Sequence, residues 1–303
     1  MTNLLNLFAN NLLPIFIVSG AGFFVGKRLQ ISARPISQLV FYIFSPCLIF
    51  NLITQSKLGG GDILRIVGLS FIIMLLVGLI VLIAGLILKL ERRMLAAVLL
   101  TSILMNAGNY GMPVVGFAFG DIAQTYAALY FVGLTIMTYS LGVVIASLGT
   151  KSLREALLGL LKIPVIYSVV ISIVFVATGW KLPVPLQRTV DLLANATIPC
   201  MLVVLGLQFQ VVRWSGQIKP LALAISARML LAPLLAIGFC LLFGIQGAAR
   251  QSGIIESAMP AAVMSTVLAT EYNVEPAFVT LVVFVGTLIS PLILTPLMAW
   301  LGA

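Results

Sequence analysis

The sequence contains no histidine and few charged residues of either sign. Only 8% of its 303 residues are charged, whereas 61% are hydrophobic, and soluble domains carry about 25% charged residues. Without histidine, the chain cannot form a histidine-ligated zinc or haem site or a Ser-His hydrolase centre. The three cysteines lie singly in apolar runs, so they predict neither a disulfide framework nor a metal site. Composition therefore indicates an all-α polytopic membrane protein.

Apolar stretches recur along the whole chain, and about 20 residues suffice to cross a bilayer as a helix. Charges, Gly/Pro clusters and polar runs separate ten predicted spans. The predicted spans are 10–26, 35–54, 66–88, 94–118, 124–147, 163–180, 187–209, 220–243, 250–270 and 276–300. The connections between them are too short to hold a soluble domain.

The basic residues predict how the spans are oriented. Eleven Lys and Arg residues fall in loops after odd-numbered spans, and five fall on the opposite side. The positive-inside rule therefore places the odd-numbered loops in the cytoplasm and both termini outside. A net charge of +9 often accompanies nucleic-acid binding, but here the basic residues are scattered at span ends, as topology signals are.

Ten spans divide into two sets of five, 1–150 and 151–303. An odd number of spans in each half makes the halves run in opposite directions, as in an inverted repeat. Two recurring dipeptides favour this repeat. A Pro-Cys pair occurs in spans two and seven, and a Met-Pro pair occurs in spans four and nine. The pairs are Pro46-Cys47, Pro199-Cys200, Met112-Pro113 and Met259-Pro260.

Span four is polar, rich in glycine and interrupted by proline over its middle, from Asn106 to Pro113. Proline removes a backbone donor, and glycine permits non-helical backbone. Unpaired backbone groups at membrane depth are tolerated only where protein or a water-filled cavity satisfies them. The segment therefore predicts a broken helix beside a cavity, with Asn106 and Asn109 lining it. The alternative is a proline kink whose asparagines bond a neighbouring helix.

Span nine contains Glu256, and aligning Pro113 with Pro260 sets Asn109 against this glutamate. A lone charged carboxylate within a span costs several kcal/mol, so it is protonated, paired or bound to a cation. This position predicts a coupling site for sodium or a proton. The alternatives are a structural pair with Arg228 and a location nearer the interface.

Arg228 lies about eight residues inside span eight. Its guanidinium can bind an anionic substrate, extend to the cytoplasmic surface or pair with Glu256, and the sequence does not separate these three roles. Asp121 and Asp191 fall at span ends and are predicted to be interfacial.

At these residues the chain resembles the auxin efflux carrier family of membrane transporters, which includes plant auxin exporters and bacterial permeases for small dicarboxylates. The resemblance covers essentially the whole chain and rests on the 106–113 motif, the Met-Pro pair of span nine, the Ala-Thr-Glu-Tyr segment at 269–272 and the ten-span length. It implies crossed, broken spans four and nine, similar to bile acid sodium symporters. It also implies a scaffold of spans 1, 2, 6 and 7 and a transport unit of spans 3–5 and 8–10 that moves like an elevator.

The resemblance places the substrate at this crossover. The predicted substrate ligands are Asn106, Asn109, Gly111, Pro113, Arg228, Met259 and Pro260, and the predicted coupling-ion ligands are Glu256, Asn106 and Asn109. Glu256 looks similar to the sodium-ligating glutamate of bile acid symporters, whereas auxin exporters look sodium-independent, so the choice between Na⁺, H⁺ and no coupling stays open. The short connection from Gly149 to Lys162 lacks the long loop of many plant members, and loop-based regulation is not expected.

These features predict a secondary active transporter for a small organic anion, such as a carboxylate or an auxin-like acid, in the bacterial inner membrane and without a cofactor. The alternatives are a uniporter or channel-like permease and a transporter-fold sensor without ion coupling. No enzyme activity is predicted, because an intramembrane aspartyl centre needs two Asp residues well inside spans. The expected partners are the anion and the lipid bilayer but no nucleic acid, and a homodimer is considered as well.

Overall fold

The structure is a computed structural model that describes residues 4–55, 60–147, 163–211 and 216–303. Helices account for most of these residues, and no strand occurs among them. The boundary predicted between the two halves, at 150/151, and the connection from Gly149 to Lys162 lie outside the described residues. So do several basic residues used for the orientation: Lys57, Lys151, Arg154, Lys162 and Arg213.

Eleven helices follow one another in the described part of the chain. They are α1 Leu4–Leu29, α2 Ala33–Gln55, α3 Gly60–Ile87, α4 Arg92–Ile103, α5 Ala107–Ala146, α6 Pro164–Thr178, α7 Val184–Gln208, α8 Ile218–Leu242, α9 Gly247–Ser257, α10 Val263–Glu271 and α11 Pro276–Leu301. Proline in the first turn begins α6, α7 and α11, because its missing N–H has no helical partner to lose there. Left-handed glycines, Gly179 and Gly302, end α6 and α11.

Seven of the described helices are long and apolar enough to cross a membrane, namely α1, α2, α3, α5, α7, α8 and α11. Many of their large apolar side chains are exposed, for example Leu79, Ile83 and Ile87 along one side of α3. An apolar exterior of this kind faces lipid. The structure therefore agrees with a polytopic helical membrane protein, whereas the ten-span count stays a prediction.

The helices that fall short of this length lie mainly in predicted spans four and nine. Span four corresponds to α4 and the start of α5, and span nine corresponds to α9 and α10. Helix α5 contains 40 residues, about 60 Å and so about twice the hydrocarbon thickness of a bilayer. Gly120 interrupts it with φ 80° and ψ −173°, within the boundary predicted between spans four and five.

Helices α1 and α7 approach each other backbone to backbone. A Cβ at Gly206 would overlap the carbonyl oxygen of Ser19, and a Cβ at Gly22 would lie 2.5 Å from the carbonyl oxygen of Val203. A second contact joins α2 to α7, where Asp191 accepts hydrogen bonds of 2.8 Å from Asn51 and from Gln187. Asp191, predicted to be interfacial, thus links two helices that the resemblance assigns to the scaffold.

The close approach of α1 and α7 predicts that Gly206→Ala destabilises the protein. The added methyl group meets backbone, which cannot rotate away, and overpacking of this kind costs about 1–3 kcal/mol. Gly20→Ala is the matched control, since a Cβ there meets nothing within 4 Å. Melting temperatures in detergent should fall for the first variant and not for the second, and equal values would contradict this packing.

Candidate functional site

The breaks in spans four and nine lie at residues 104–106 and 258–262. Helix α4 ends at Ile103, where Leu104 takes extended backbone angles of φ −89° and ψ 108°. Pro260 lies inside its break, but Pro113 lies in α5, just after a π-helical turn at Ala107–Gly111. The prediction that Pro113 marks the break is therefore wrong. Pro113 is the seventh residue of α5, and the helix continues through it after the π-helical turn.

The two breaks pair with each other through their backbones. The Asn106 N–H donates to the Pro260 carbonyl and the Ala262 N–H donates to the Leu104 carbonyl, both at 2.8 Å. Met105 faces Ala261 in this antiparallel bridge. The bridge satisfies four backbone groups that would otherwise be unpaired within the membrane.

This register corrects the alignment made from the sequence. Matching the first helical residues after the breaks, Ala107 and Val263, sets Asn109 against Ser265. The alignment of Pro113 with Pro260, which set Asn109 against Glu256, is out of register because only one of the two prolines lies in its break.

Arg228 binds the carboxyl ends of both interrupted helices. Its side chain is 1% exposed, which excludes extension to the cytoplasmic surface. Its Nη1 donates to the carbonyls of Ser102 at 2.9 Å and Ile103 at 3.3 Å, and its Nη2 donates to the carbonyl of Ser257 at 2.5 Å. A cation here satisfies carbonyls that lack helical partners and opposes the partial negative charge of two helix C-termini.

Glu256 lies one residue before the end of α9 and is completely buried. Among the described residues, neither oxygen of its carboxylate has a hydrogen-bond partner, and no pair with Arg228 is formed. The carboxylate lies against Gly111, where a Cβ would overlap it. Gly111 therefore leaves the room that Glu256 occupies. A carboxylate without partners at this depth requires a proton or a cation.

A cavity of about 150 Å³ opens beside the crossover. Its walls come from α2 and α7 on one side and from α5, α10 and the two breaks on the other. The cavity brings together Asn106 and Asn109, as the sequence predicts, but Gly111, Pro113, Arg228, Glu256, Met259 and Pro260 do not line it. The lining residues are Ser37, Val40, Phe41, Ser45, Met105, Asn106, Gly108, Asn109, Phe131, Leu134, Thr135, Thr138, Tyr139, Met201, Val204, Gln208, Ala262, Val263, Met264 and Val267.

Two helix N-termini open onto this cavity, those of α5 and α10. Their N-cap residues, Asn106 and Ala262, provide no side-chain hydrogen bond to the helix ends. The side chain of Asn106 is buried and its Nδ2 has no partner. The first N–H groups of the two helices, at 107–108 and 263–264, have no acceptor within their own helix. The cavity therefore presents free donors at its crossover side, and none of the described residues that line it is charged.

A comparison with known proteins agrees with the resemblance seen in the sequence. A family model described as membrane transport protein matches residues 7–298. The chain belongs to the auxin efflux carrier family of membrane transporters. An uncharacterized transporter of Methanocaldococcus jannaschii is 27% identical over 276 residues, which cover 89% of each chain. One of Methanothermobacter thermautotrophicus is 26% identical over 266 residues, which cover 85% of each.

A plant member of the auxin efflux carrier family matches a smaller part of the chain. Auxin efflux carrier component 3 of Arabidopsis thaliana is 27% identical over 139 residues, which cover 43% of this chain and 21% of the plant protein. The family is one of transporters, which agrees with the prediction that this chain is not an enzyme.

Sequence patterns did not predict the polar part of the cavity wall that lies outside the two breaks. The missed polar residues are Ser37, Ser45, Thr135, Thr138, Tyr139 and Gln208. Two segments of this wall, Val40–Phe44 and Thr138–Gly142, form π-helical turns, which frequently mark functional sites. Isolated polar residues within apolar spans were the sequence signal that could have indicated this wall. The π-helical turns have no clear sequence signature and could not be predicted.

The contacts of Arg228 predict that Arg228→Met destabilises the protein more than it affects any ligand. Three buried carbonyls lose a charged donor, and hydrogen bonds to charged groups contribute about 1.5–3 kcal/mol each. The control is Arg65→Met, because Arg65 is exposed. The melting temperature should fall by several degrees relative to this control. A stable Arg228→Met protein that no longer binds anions would instead assign Arg228 to the substrate.

Proposed function

We propose that this protein is a secondary active transporter that binds a small organic anion in the cavity beside the crossover. One observation carries the proposal: two uncapped helix N-termini, of α5 and α10, open onto one cavity lined by no charged residue of the described chain. Each N-terminus is equivalent to about half a positive charge. Free N–H groups and this partial charge together form an anion site.

Asn106 and Asn109 complete the proposed anion site. The Asn106 Nδ2 group is buried and has no partner, and Asn109 lies one turn further along the same cavity wall. Both amides can donate to a carboxylate without adding a fixed charge. The name of the plant relative, an auxin efflux carrier component, supports an organic acid as substrate.

We propose ten crossings arranged as a five-plus-five inverted repeat, with both termini outside and the chain in a bacterial inner membrane. The length of α5 and its interruption at Gly120 support two crossings for this segment. The antiparallel pairing of the two breaks supports halves of opposite direction.

The proposed movement is that of an elevator. Helices α1, α2, α6 and α7 pack closely with one another, as expected of a scaffold. The cavity lies where this group faces α5, α10 and the breaks. A substrate bound there would contact both units, so movement of one past the other would carry it across.

Glu256 is the proposed site of the coupling proton or sodium ion. Its carboxylate contacts Gly111, while Gly108 and Asn109 of the same π-helical turn line the anion cavity. The two proposed sites therefore lie on different sides of one turn of backbone. A change of charge at Glu256 can alter the position of this turn and so the anion site. An uncoupled uniporter is the second candidate, because Glu256 itself does not line the cavity.

Asn109→Ala should weaken carboxylate binding by about 10- to 100-fold, since a hydrogen bond to a charged group contributes about 1.5–3 kcal/mol. Asn195→Ala is the matched control, because Asn195 is exposed on α7. Dissociation constants from titration calorimetry in detergent measure the effect for a panel of monocarboxylates and dicarboxylates. Equal affinities of the two variants would remove Asn109 from the site.

Glu256→Gln should fold normally, since the neutral amide occupies a similar volume and avoids a buried charge without partners. Uptake into proteoliposomes should lose its dependence on pH or on sodium. Glu271→Gln, at an exposed position, should keep that dependence. A Glu256→Gln transporter with unchanged pH and sodium dependence would favour the uniporter.

A further inference from the structure

Tyr110 connects the π-helical turn at the start of α5 to α11. Its side chain is completely buried, and its hydroxyl lies 2.8 Å from the Oγ of Ser290. Ser290 Oγ donates its own proton to the carbonyl of Thr287 at 2.7 Å. Because a serine hydroxyl carries a single proton, Tyr110 is the donor in the bond between the two hydroxyls and Ser290 is the acceptor.

The sequence of α11 explains why Ser290 is free to accept. Pro291 lies inside this helix and has no N–H, so the carbonyl of Thr287, four residues earlier, lacks its helical donor. The Ser290 hydroxyl supplies that donor, as Ser and Thr side chains do at prolines of transmembrane helices. The lone pairs of Ser290 then remain for Tyr110.

The same face of α11 supports the break in span nine. Gly286 and Ser290 are one helical turn apart and lie on one face. Pro260 packs against Gly286, where a Cβ would lie 3.3 Å from the proline Cβ. Helix α11 therefore contacts both broken spans, and it is a fixed support for the turn that Tyr110 belongs to.

Three consecutive residues of this turn meet three different parts of the molecule. Asn109 lines the cavity, Tyr110 is bonded to α11, and Gly111 lies against the carboxylate of Glu256. A shift of the carboxylate displaces Gly111, because the contact leaves no room for even a methyl group. With the turn held at Tyr110, this displacement rotates the turn instead of translating it, and the rotation moves Asn109.

We infer that Tyr110 is a positioning residue that makes anion binding at Asn109 depend on the ion at Glu256, with Ser290 as its anchor. This inference rests on the proposed function, which places the anion and the ion on different sides of this turn. Tyr110 does not line the cavity, so it acts through its neighbours. By linkage, ion and anion change each other's affinity by the same factor, typically about 5- to 150-fold.

The ion dependence is assigned to Glu256 by comparison with Glu256→Gln. The helices packed against α9 carry several other ionisable groups, among them Tyr130 of α5, Arg228 and Cys240 of α8, and Asp62 and Arg65 of α3. Tyr, Arg and Cys side chains keep one charge state between acidic and neutral pH. The part of the dependence that Glu256→Gln removes is therefore the part to follow in the other variants.

The test measures how far pH and sodium change the Kd of a carboxylate. Titration calorimetry of the purified protein in detergent, at mildly acidic and neutral pH and with and without sodium, would use whichever of acetate, benzoate and malonate binds the wild-type protein most tightly. We expect its Kd to change by at least about fivefold between conditions in the wild type and by less than about twofold in Tyr110→Phe. Ser290→Ala, which removes the acceptor, should give the same loss.

Thr287→Val is the matched control. Thr287 is as buried as Ser290 and lies on the same helix, but its hydroxyl donates only to the Val283 carbonyl of that helix. This variant should keep the wild-type dependence on the ion. Melting temperatures without ligand verify that the variants fold, and Ser290→Ala decides the test if Tyr110→Phe does not fold.

The outcomes separate this inference from the proposed function. If the Kd of Tyr110→Phe changes with the ion as much as that of the wild type, even at uniformly weaker affinity, the role of Tyr110 is overturned and the proposed function stands. If wild-type binding depends on neither pH nor sodium, or depends on them equally in Glu256→Gln, the coupling role of Glu256 fails and this inference fails with it. If none of the three acids binds the wild-type protein, the anion site itself fails.

Discussion

The antiparallel pairing of two helix breaks within the membrane is the interaction on which the rest of the structure depends. Four backbone groups, on Leu104, Asn106, Pro260 and Ala262, satisfy each other there. In hydrocarbon each unsatisfied group costs several kcal/mol, so neither break is tolerable without the other. The pairing also fixes the positions of four helix ends, because α4 and α9 end beside these residues and α5 and α10 begin beside them.

One buried charge, that of Arg228, matches the polarity of those helix ends. Arg228 and Glu256 are the only buried charged side chains among the described residues. Arg228 lies at the two C-termini, where the helix dipole is negative. Its Nη1 and Nη2 groups donate to carbonyls, and its Nε group has no partner among the described residues. This leaves the two N-termini as the sources of positive potential at the cavity. The site can therefore attract an anion without a lysine or arginine in its lining.

Sequence patterns predicted the helical class, the region of each break and the two asparagines, because Gly, Pro and Asn within an apolar run are local signals of broken backbone. They did not predict the register of the breaks, since the proline of span four lies within a helix whereas that of span nine lies in a break. The role of Arg228 also escaped prediction, because sequence indicates the depth of a side chain but not which carbonyls it meets. Gln208 lies about 100 residues from Asn106 in the chain, so only the folded structure sets the two on facing walls.

The most direct test of this account is a cryo-electron microscopy map of the protein with a bound carboxylate at saturating concentration. The account predicts ligand density between Asn109 and the first residues of α10, with the carboxylate directed to the two helix N-termini. It also predicts that the guanidinium of Arg228 keeps its contacts with the α4 and α9 carbonyls. Density for the ligand against Arg228, or a map in which the cavity beside the crossover stays empty, would contradict the account.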